Sequence, residues 1–99
     1  MLVHSVFFWI HADRTAQQRE DFRHGLESLR AIEHVRALYV GVPANTTPRP
    51  VIERGYAFAL TVVFDDVAGH DAYQVHPVHK EFLARFASYW SRVQIYDAE

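Results

Sequence analysis

Two segments of this 99-residue chain are apolar at almost every position, and they limit the fold more than any other feature. Leu2–Ile10 is interrupted only by His4 and Ser5, and Gly55–Phe64 has a similar mixture of aromatic and β-branched residues. This composition favours strands buried on both faces over short helices. Each strand therefore needs a cover on both sides, and helices from the same chain can supply one of them.

A helix and another strand are predicted between these two segments. Thr15 and Gln18 have the spacing of a capping box, and apolar residues then recur at helical intervals. We expect this helix at about Ala16–Ile32 and a second strand at Val35–Val42. The polar segment Pro43–Arg54 follows, and a loop of this length in a small domain is expected to border a pocket mouth.

Pro77 divides the last helical region into two helices. Asp65 or Asp66 is expected to cap the first of them, whose apolar positions are Ala68, Ala72 and Val75. Proline is favoured at a first helical position, so a new helix is predicted from Pro77 to about Ser88, followed by a strand at Ser91–Tyr96. The order of elements predicts an α+β, ferredoxin-like βαββαβ fold with a four-stranded antiparallel sheet.

The sheet face without helices is expected to form an interface. Strand alternation assigns to it Phe7, Trp9, Ala57, Ala59 and Val63, together with Val3, Ser5 and Thr61. A face this apolar usually marks an interaction surface, which predicts a homodimer that packs sheet against sheet.

Composition and charge limit the possible partners and chemistry of the chain. The formal net charge is −2, with acidic and basic residues interspersed, so neither a nucleic acid nor a membrane is expected as a partner. The absence of cysteine excludes disulfides and thiol chemistry. We expect one domain spanning residues 1–99 and a cytoplasmic location.

Three side chains able to transfer protons are predicted to meet between sheet and helices. His79 shares a helical stripe with Phe82 and Phe86, while His4 alternates along its strand with apolar residues, and Tyr73 lies just before the break at Pro77. The candidate catalytic residues are therefore His79, Tyr73 and His4. The candidate substrate-binding residues are Phe8, Phe58, Leu60, His76, Phe82 and Phe86.

A neutral imidazole in such a pocket can remove a proton next to a carbonyl, and a tyrosine hydroxyl can donate to the enolate oxygen that forms. The alternative is that His4 and His79 are core histidines, hydrogen-bonded to each other or to backbone carbonyls. No metal or cofactor is predicted, because Pro77 begins a new turn between His76 and His79 and no third ligand is evident. His11, His24, His34 and His70 are expected at the surface.

Several of these segments resemble the stress-responsive dimeric α+β barrel family, Dabb. The segments are Val3–Phe8, Gly55-Tyr56, Tyr73-x-x-His76-Pro77-x-His79 and Val93–Asp97. The resemblance implies a dimer of ferredoxin-like subunits whose sheets form a central barrel with the helices outside.

The family includes cofactor-free plant polyketide cyclases, which close a linear polyketide by intramolecular aldol condensation. By resemblance, Tyr73 and His79 match the catalytic tyrosine and histidine of these cyclases, and His4 matches a further pocket histidine. Phe58 stands where the cyclases have another pocket histidine, so the polar lining is thinner here.

Two functions are open from the sequence. The first is a stress-associated dimer that binds a small apolar ligand or serves as a structural module. The second is a cofactor-free acid/base enzyme for a carbonyl-rich aromatic or polyketide-like substrate, with His79 as base, Tyr73 as donor and His4 in support. The related antibiotic-monooxygenase type of dimeric barrel is not favoured by the His-Pro-x-His segment.

Overall fold

The computed structural model describes residues 1–99 and contains a four-stranded antiparallel sheet with its helices on one face. The strands are β1 (Leu2–Ile10), β2 (Ala37–Gly41), β3 (Phe58–Phe64) and β4 (Trp90–Ala98), and the helices are α1 (Ala16–Ser28), α2 (Val67–Gln74) and α3 (Pro77–Phe86). The strand order is β2-β3-β1-β4. The predicted ferredoxin-like fold, with its second helix broken at Pro77, is confirmed.

The central strands show the predicted alternation of buried and less buried side chains. In β1, His4, Val6 and Phe8 are buried while the intervening residues are half-buried, and β3 alternates in the same way. His4 pairs with Val62 of β3 on one side and with Asp97 of β4 on the other. The β1 side chains that face the helices are therefore flanked by side chains from both neighbouring strands.

Side-chain caps set the beginning of each helix. The Thr15 hydroxyl accepts from the Gln18 backbone N–H, and the Gln18 side chain accepts from the Thr15 N–H, as the capping-box pattern predicts. Asp66 caps α2 by accepting from the Gly69 N–H, whereas Asp65 pairs with Arg36. The first helical region continues past Ser28 as a 3₁₀ turn over residues 29–31.

The core lies between the helices and the inner face of the sheet. Its fifteen buried residues are Leu2, Val6, Phe8, Phe22, Leu26, Leu29, Ile32, Leu38, Phe58, Leu60, Val62, Phe64, Tyr73, Phe82 and Phe86. Gly25 lets α1 approach α3 closely, because a methyl group there would collide with the Phe86 ring. None of the three helices is both long and apolar enough to cross a membrane.

The start of β3 differs from the prediction. The strand begins at Phe58 instead of Gly55, and the Tyr56 ring packs against Phe7 and Trp9, with centroid distances of 5.1 and 6.4 Å. These contacts place Tyr56 on the face without helices. Tyr56 precedes β3, so the alternation of side chains along that strand does not determine its direction.

The long loop before β3 reaches the sheet face without helices. None of residues 43–54 lines the cavity between sheet and helices. Glu53 instead borders a hollow of about 370 Å³ on the opposite face, together with Trp9 and Tyr56. Through Glu53 the loop therefore borders a hollow on the sheet face without helices, and not the cavity between sheet and helices.

Candidate functional site

A cavity of about 200 Å³ lies between the inner face of the sheet and helices α2 and α3. Ten of its thirteen lining residues are hydrophobic. The lining consists of His4, Val6, Phe8, Leu29, Leu60, Tyr73, Gln74, His79, Phe82, Leu83, Trp90, Val93 and Ile95. Strand alternation supplies the β1 and β4 side chains, and the helix break at Pro77 allows α2 and α3 to form the opposite wall.

His4 and Asp97 form a close pair at the sheet side of this cavity. They are partners in the β1–β4 register, and His4 Nδ1 lies 2.5 Å from an Asp97 carboxylate oxygen. An ionised carboxylate only accepts hydrogen bonds, so Nδ1 donates and Nε2 of His4 carries a lone pair. The pKa of His4 is lowered, chiefly by burial and to a smaller extent by His70, against the opposing hydrogen bond and charge of Asp97.

Tyr73 and His79 occupy the helix side of the cavity. Pro77 begins α3, which places His79 in its first turn, and the His79 and Tyr73 ring centroids are 4.7 Å apart. Burial lowers the pKa of His79, with smaller contributions from His4 and His70. Burial also raises the pKa of Tyr73 well above its ordinary value, so the phenol remains protonated near neutral pH.

His79 lacks the hydrogen bonds expected of a core histidine. Its Nδ1 is buried and has no hydrogen-bond partner. A buried donor without a partner is rarer in proteins than a buried acceptor without one. Nδ1 is therefore better left unprotonated, and this tautomer places the His79 proton on Nε2.

These groups together supply both halves of an acid/base reaction. His4 has a lone pair on Nε2, whereas Tyr73 and the favoured tautomer of His79 carry protons that they can donate. The ring centroids of His4 and Tyr73 are 6.1 Å apart, so one small molecule in the cavity can reach both.

The sequence matches the family model of the Stress responsive A/B Barrel Domain, Dabb, over residues 2–99. The chain belongs to the Dabb family. No curated protein sequence gives a significant match.

Solved structures share the Dabb fold over nearly the whole chain. A dimeric ferredoxin-like protein of unknown function from Thermobifida fusca is 24% identical, with a TM-score of 0.81, and the match covers 98% of this chain and 88% of that one. A Dabb family protein with a ferredoxin-like fold from Mesorhizobium loti is 23% identical, with a TM-score of 0.77 and coverages of 99% and 94%. A hydroxynitrile lyase from Passiflora edulis is 19% identical, with a TM-score of 0.81 and coverages of 98% and 90%.

Within this Dabb domain, most of the predicted site residues lie together. All three candidate catalytic residues line the cavity, and so do Phe8, Leu60 and Phe82. The other three do not line it. Phe58 packs on Phe22 with ring centroids 5.4 Å apart, Phe86 packs on Phe22 at 5.6 Å, and His76 caps α3. The roles of all nine residues stay predictions.

Sequence reasoning did not identify two polar residues next to the Dabb cavity. Asp97 belongs to β4, which extends to Ala98 instead of ending at Tyr96 as predicted. His70 was expected at the surface, but its side chain is only 16% exposed and its ring centroid is 5.0 Å from that of His4. The alternation of Val93, Ile95 and Asp97 along β4 was the available signal for Asp97.

A larger hollow of about 540 Å³ lies between α1 and α3 of the Dabb domain. Its polar lining includes Asp21, which is half-buried, and His24 and Glu81, which are exposed. Because it contains no buried titratable group, the smaller cavity beside His4 is the better candidate for a functional site.

Proposed function

We propose that this Dabb domain forms a homodimer and that the cavity of each subunit binds a small, mostly apolar molecule bearing one polar group. The supporting observation is the lining of the cavity: ten hydrophobic residues surround His4, Gln74 and His79. Pockets of this composition use apolar area for affinity and a few polar groups for orientation. The dimer is supported by relatives described as dimeric, and its proposed interface is the sheet face around Phe7, Trp9, Ala57, Ala59 and Val63.

The cavity size limits the ligand. An apolar protein cavity of about 150 Å³ accommodates benzene. The cavity of about 200 Å³ therefore suits one substituted aromatic ring or a molecule of similar size. A long linear polyketide would extend out of this volume, past the partly exposed lining residues Leu83, Val93 and Ile95, so the ligand class we propose is smaller than the substrate implied by the resemblance to polyketide cyclases.

The polar groups favour an uncharged ligand. The pKa of both His4 and His79 is lowered, and that of Tyr73 is raised, so all three side chains are neutral near neutral pH. A neutral ligand with a carbonyl or hydroxyl oxygen can accept from Tyr73 without bringing an unpaired charge into the cavity.

The binding proposal can be tested by filling the cavity. Leu83 lines it but is 39% exposed, so Leu83→Trp adds volume with little disturbance of the core. We expect benzaldehyde, acetophenone and phenol to shift cavity-residue amide signals in NMR titrations of the wild type and to bind at least about tenfold more weakly to Leu83→Trp. Val67→Trp, on an exposed position outside the cavity, should bind as the wild type does. Equal binding by both variants would place the ligand elsewhere.

A second candidate function is cofactor-free proton transfer, and the His4–Asp97 pair favours it. A carboxylate that accepts from one imidazole nitrogen orients the ring and stabilises the imidazolium formed when the other nitrogen takes a proton. The hydroxynitrile lyase from Passiflora edulis has the same fold, and we extend to this chain only the idea of acid/base chemistry on a small substrate.

The geometry supports a different division of roles from the one predicted from sequence. His4 Nε2 takes a proton from the carbon next to a carbonyl, the C–H bond breaks, and its electrons move onto the carbonyl oxygen to give an enolate. Tyr73 donates a hydrogen bond to that oxygen, and His79 donates through Nε2. Asp97 holds the His4 ring and stabilises its transient positive charge.

Asp97→Asn tests this candidate. The amide can donate to His4 Nδ1, which moves the proton of the ring to Nε2 and removes the base without removing its ring. We expect the hydrogen–deuterium exchange of acetophenone methyl protons, followed by NMR in D₂O, to slow by about 10²- to 10⁴-fold. Asp13→Asn removes the same charge from an exposed loop, and with this variant the acetophenone protons should exchange at the wild-type rate. Wild-type exchange no faster than the buffer rate would exclude the enzyme while leaving the binding proposal intact.

A further inference from the structure

Three metal-ligating side chains meet at one side of the cavity. His4 comes from β1, His70 from α2 and Asp97 from β4, and one ligand atom of each lies within 4.8 Å of the others. His4 is buried, His70 is mostly buried, and Asp97 is 41% exposed. The cluster is therefore held by three elements of the fold, yet it is open to solvent through Asp97.

The separations within the cluster are close to those of a metal site. His4 Nδ1 lies 2.5 Å from Asp97 Oδ1, and His70 Nε2 lies 3.9 Å from Asp97 Oδ2. Ligands about 2.0 Å from a tetrahedral ion are about 3.3 Å from each other. These two distances lie on either side of this value, and all three ligand atoms lie within 4.8 Å of one another, so movements on the order of an ångström by the exposed carboxylate and the two rings would accommodate an ion.

The surroundings of His70 orient its ring for coordination. His70 Nδ1 is 3.1 Å from an Asp71 carboxylate oxygen, so Nδ1 donates and Nε2 has a lone pair. Gln74 Nε2 lies 3.3 Å from His70 Nε2, and a metal ion on that lone pair would replace this contact. A carboxylate behind a histidine ligand is the usual outer contact of a metal-binding imidazole.

We propose that His4 Nδ1, His70 Nε2 and the Asp97 carboxylate bind a first-row transition-metal dication such as Zn²⁺. Two imidazoles and one carboxylate suit zinc, iron, nickel or copper(II), whereas magnesium and calcium prefer oxygen ligands. With three protein ligands, the ion keeps at least one position for water or another molecule. Burial favours the neutral form of His4 that coordination requires.

Metal binding would change the proton arrangement next to the cavity. An ion on His4 Nδ1 takes the place of the proton donated to Asp97, so His4 Nε2 then carries the hydrogen and cannot act as a base. The domain would have a metal-free state with an acceptor at His4 and a metal-bound state with a donor there. The metal site itself does not depend on the proposed ligand or reaction.

Isothermal titration of the full chain with Zn²⁺ tests the site. We expect one ion per chain for the wild type, and at least about tenfold weaker binding for His70→Gln and for Asp71→Asn, which removes only the outer carboxylate. His24→Gln is the matched control, because His24 is exposed on α1 and faces Glu20. It should bind Zn²⁺ as the wild type does, and Mg²⁺ should bind far more weakly than Zn²⁺.

Several results would overturn the assignment. Absence of Zn²⁺ binding to the wild type would exclude the site, and undiminished binding to both His70→Gln and Asp71→Asn would place the ion elsewhere. Circular dichroism shows whether each variant is folded. If His70→Gln does not fold, Asp71→Asn still tests the site. His70 and Asp71 have no role in the proposed proton transfer, so failure of this test leaves that proposal untouched.

Discussion

At the scale of single residues, burial controls the charge of two histidines. The pKa of His4 falls because burial outweighs the hydrogen bond to Asp97, and the pKa of His79 falls through burial, His4 and His70. In the unfolded chain both groups return toward the ordinary value of 6.5. Below that pH the unfolded chain binds more protons than the folded one, so stability decreases as pH falls from 6.5 through the lowered pKa values.

This linkage predicts that the domain unfolds at a lower urea concentration at about pH 5.5 than at about pH 7.5. His79→Leu should weaken that pH dependence because one of the two histidines with a lowered pKa is gone. It should also leave the free energy of unfolding at about pH 7.5 unchanged or higher by up to about 1 kcal/mol, since His79 Nδ1 has no partner to lose. His24→Gln should show the same dependence of unfolding on pH as the wild type. A wild-type free energy that does not fall between the two pH values would contradict these pKa directions.

At the scale of secondary-structure elements, local sequence patterns correctly predicted the element boundaries that local interactions determine. β1 matches its predicted bounds, and α1 and α3 begin where the capping box and Pro77 placed them. The apolar spacing predicted for α2 does not mark its buried side: Val75 is 63% exposed and lies just beyond the helix, whereas Tyr73 is buried. In an eight-residue helix with few large apolar side chains, tertiary packing decides which side of the helix is buried. The sequence pattern alone does not predict that side.

The candidate site was predictable to the same extent. His4 follows from strand alternation, His79 from helical spacing and Tyr73 from its position just before Pro77, and all three signals are local. Asp97 reaches His4 only through the β1–β4 register, and the two residues are 93 positions apart in sequence. Phe58 and Phe86 were assigned to the correct inner side, but their depth in the core depends on packing against Phe22.

The start of α3 offers a test of what His76 does. Its Nδ1 accepts from the Val78 backbone N–H at 3.1 Å, and it does not line the cavity. We expect His76→Ala to lower the free energy of unfolding by about 0.5–2 kcal/mol through loss of the cap, and His76→Asp to restore it because aspartate is a preferred N-cap. Both variants should bind acetophenone as the wild type does. Loss of binding by a stable His76→Asp protein would instead support the predicted substrate contact.

At the scale of the whole molecule, the sheet face without helices gathers aromatic side chains. The Phe7 ring centroid lies 5.1 Å from that of Tyr56 and 6.4 Å from that of Tyr96. The Arg92 guanidinium lies 4.2 Å from the centre of the Trp9 ring. A small domain buries a limited fraction of its surface alone, so covering this face with a second copy would add stability that the subunit lacks.

Trp9→Glu tests the proposed dimer directly. The substitution removes a large aromatic side chain from each half of the two-fold interface and puts a carboxylate, which is costly to bury, in its place, so association should weaken by at least about 10²-fold. We expect sedimentation equilibrium to give a dimer mass for the wild type and a monomer mass for Trp9→Glu at the same concentration. Val67→Glu introduces the same charge at an exposed position of α2 and should remain dimeric.

Because the cavity lies on the opposite face of the sheet from Trp9, a folded Trp9→Glu monomer should still bind acetophenone. A dimer of unchanged mass would require a different interface.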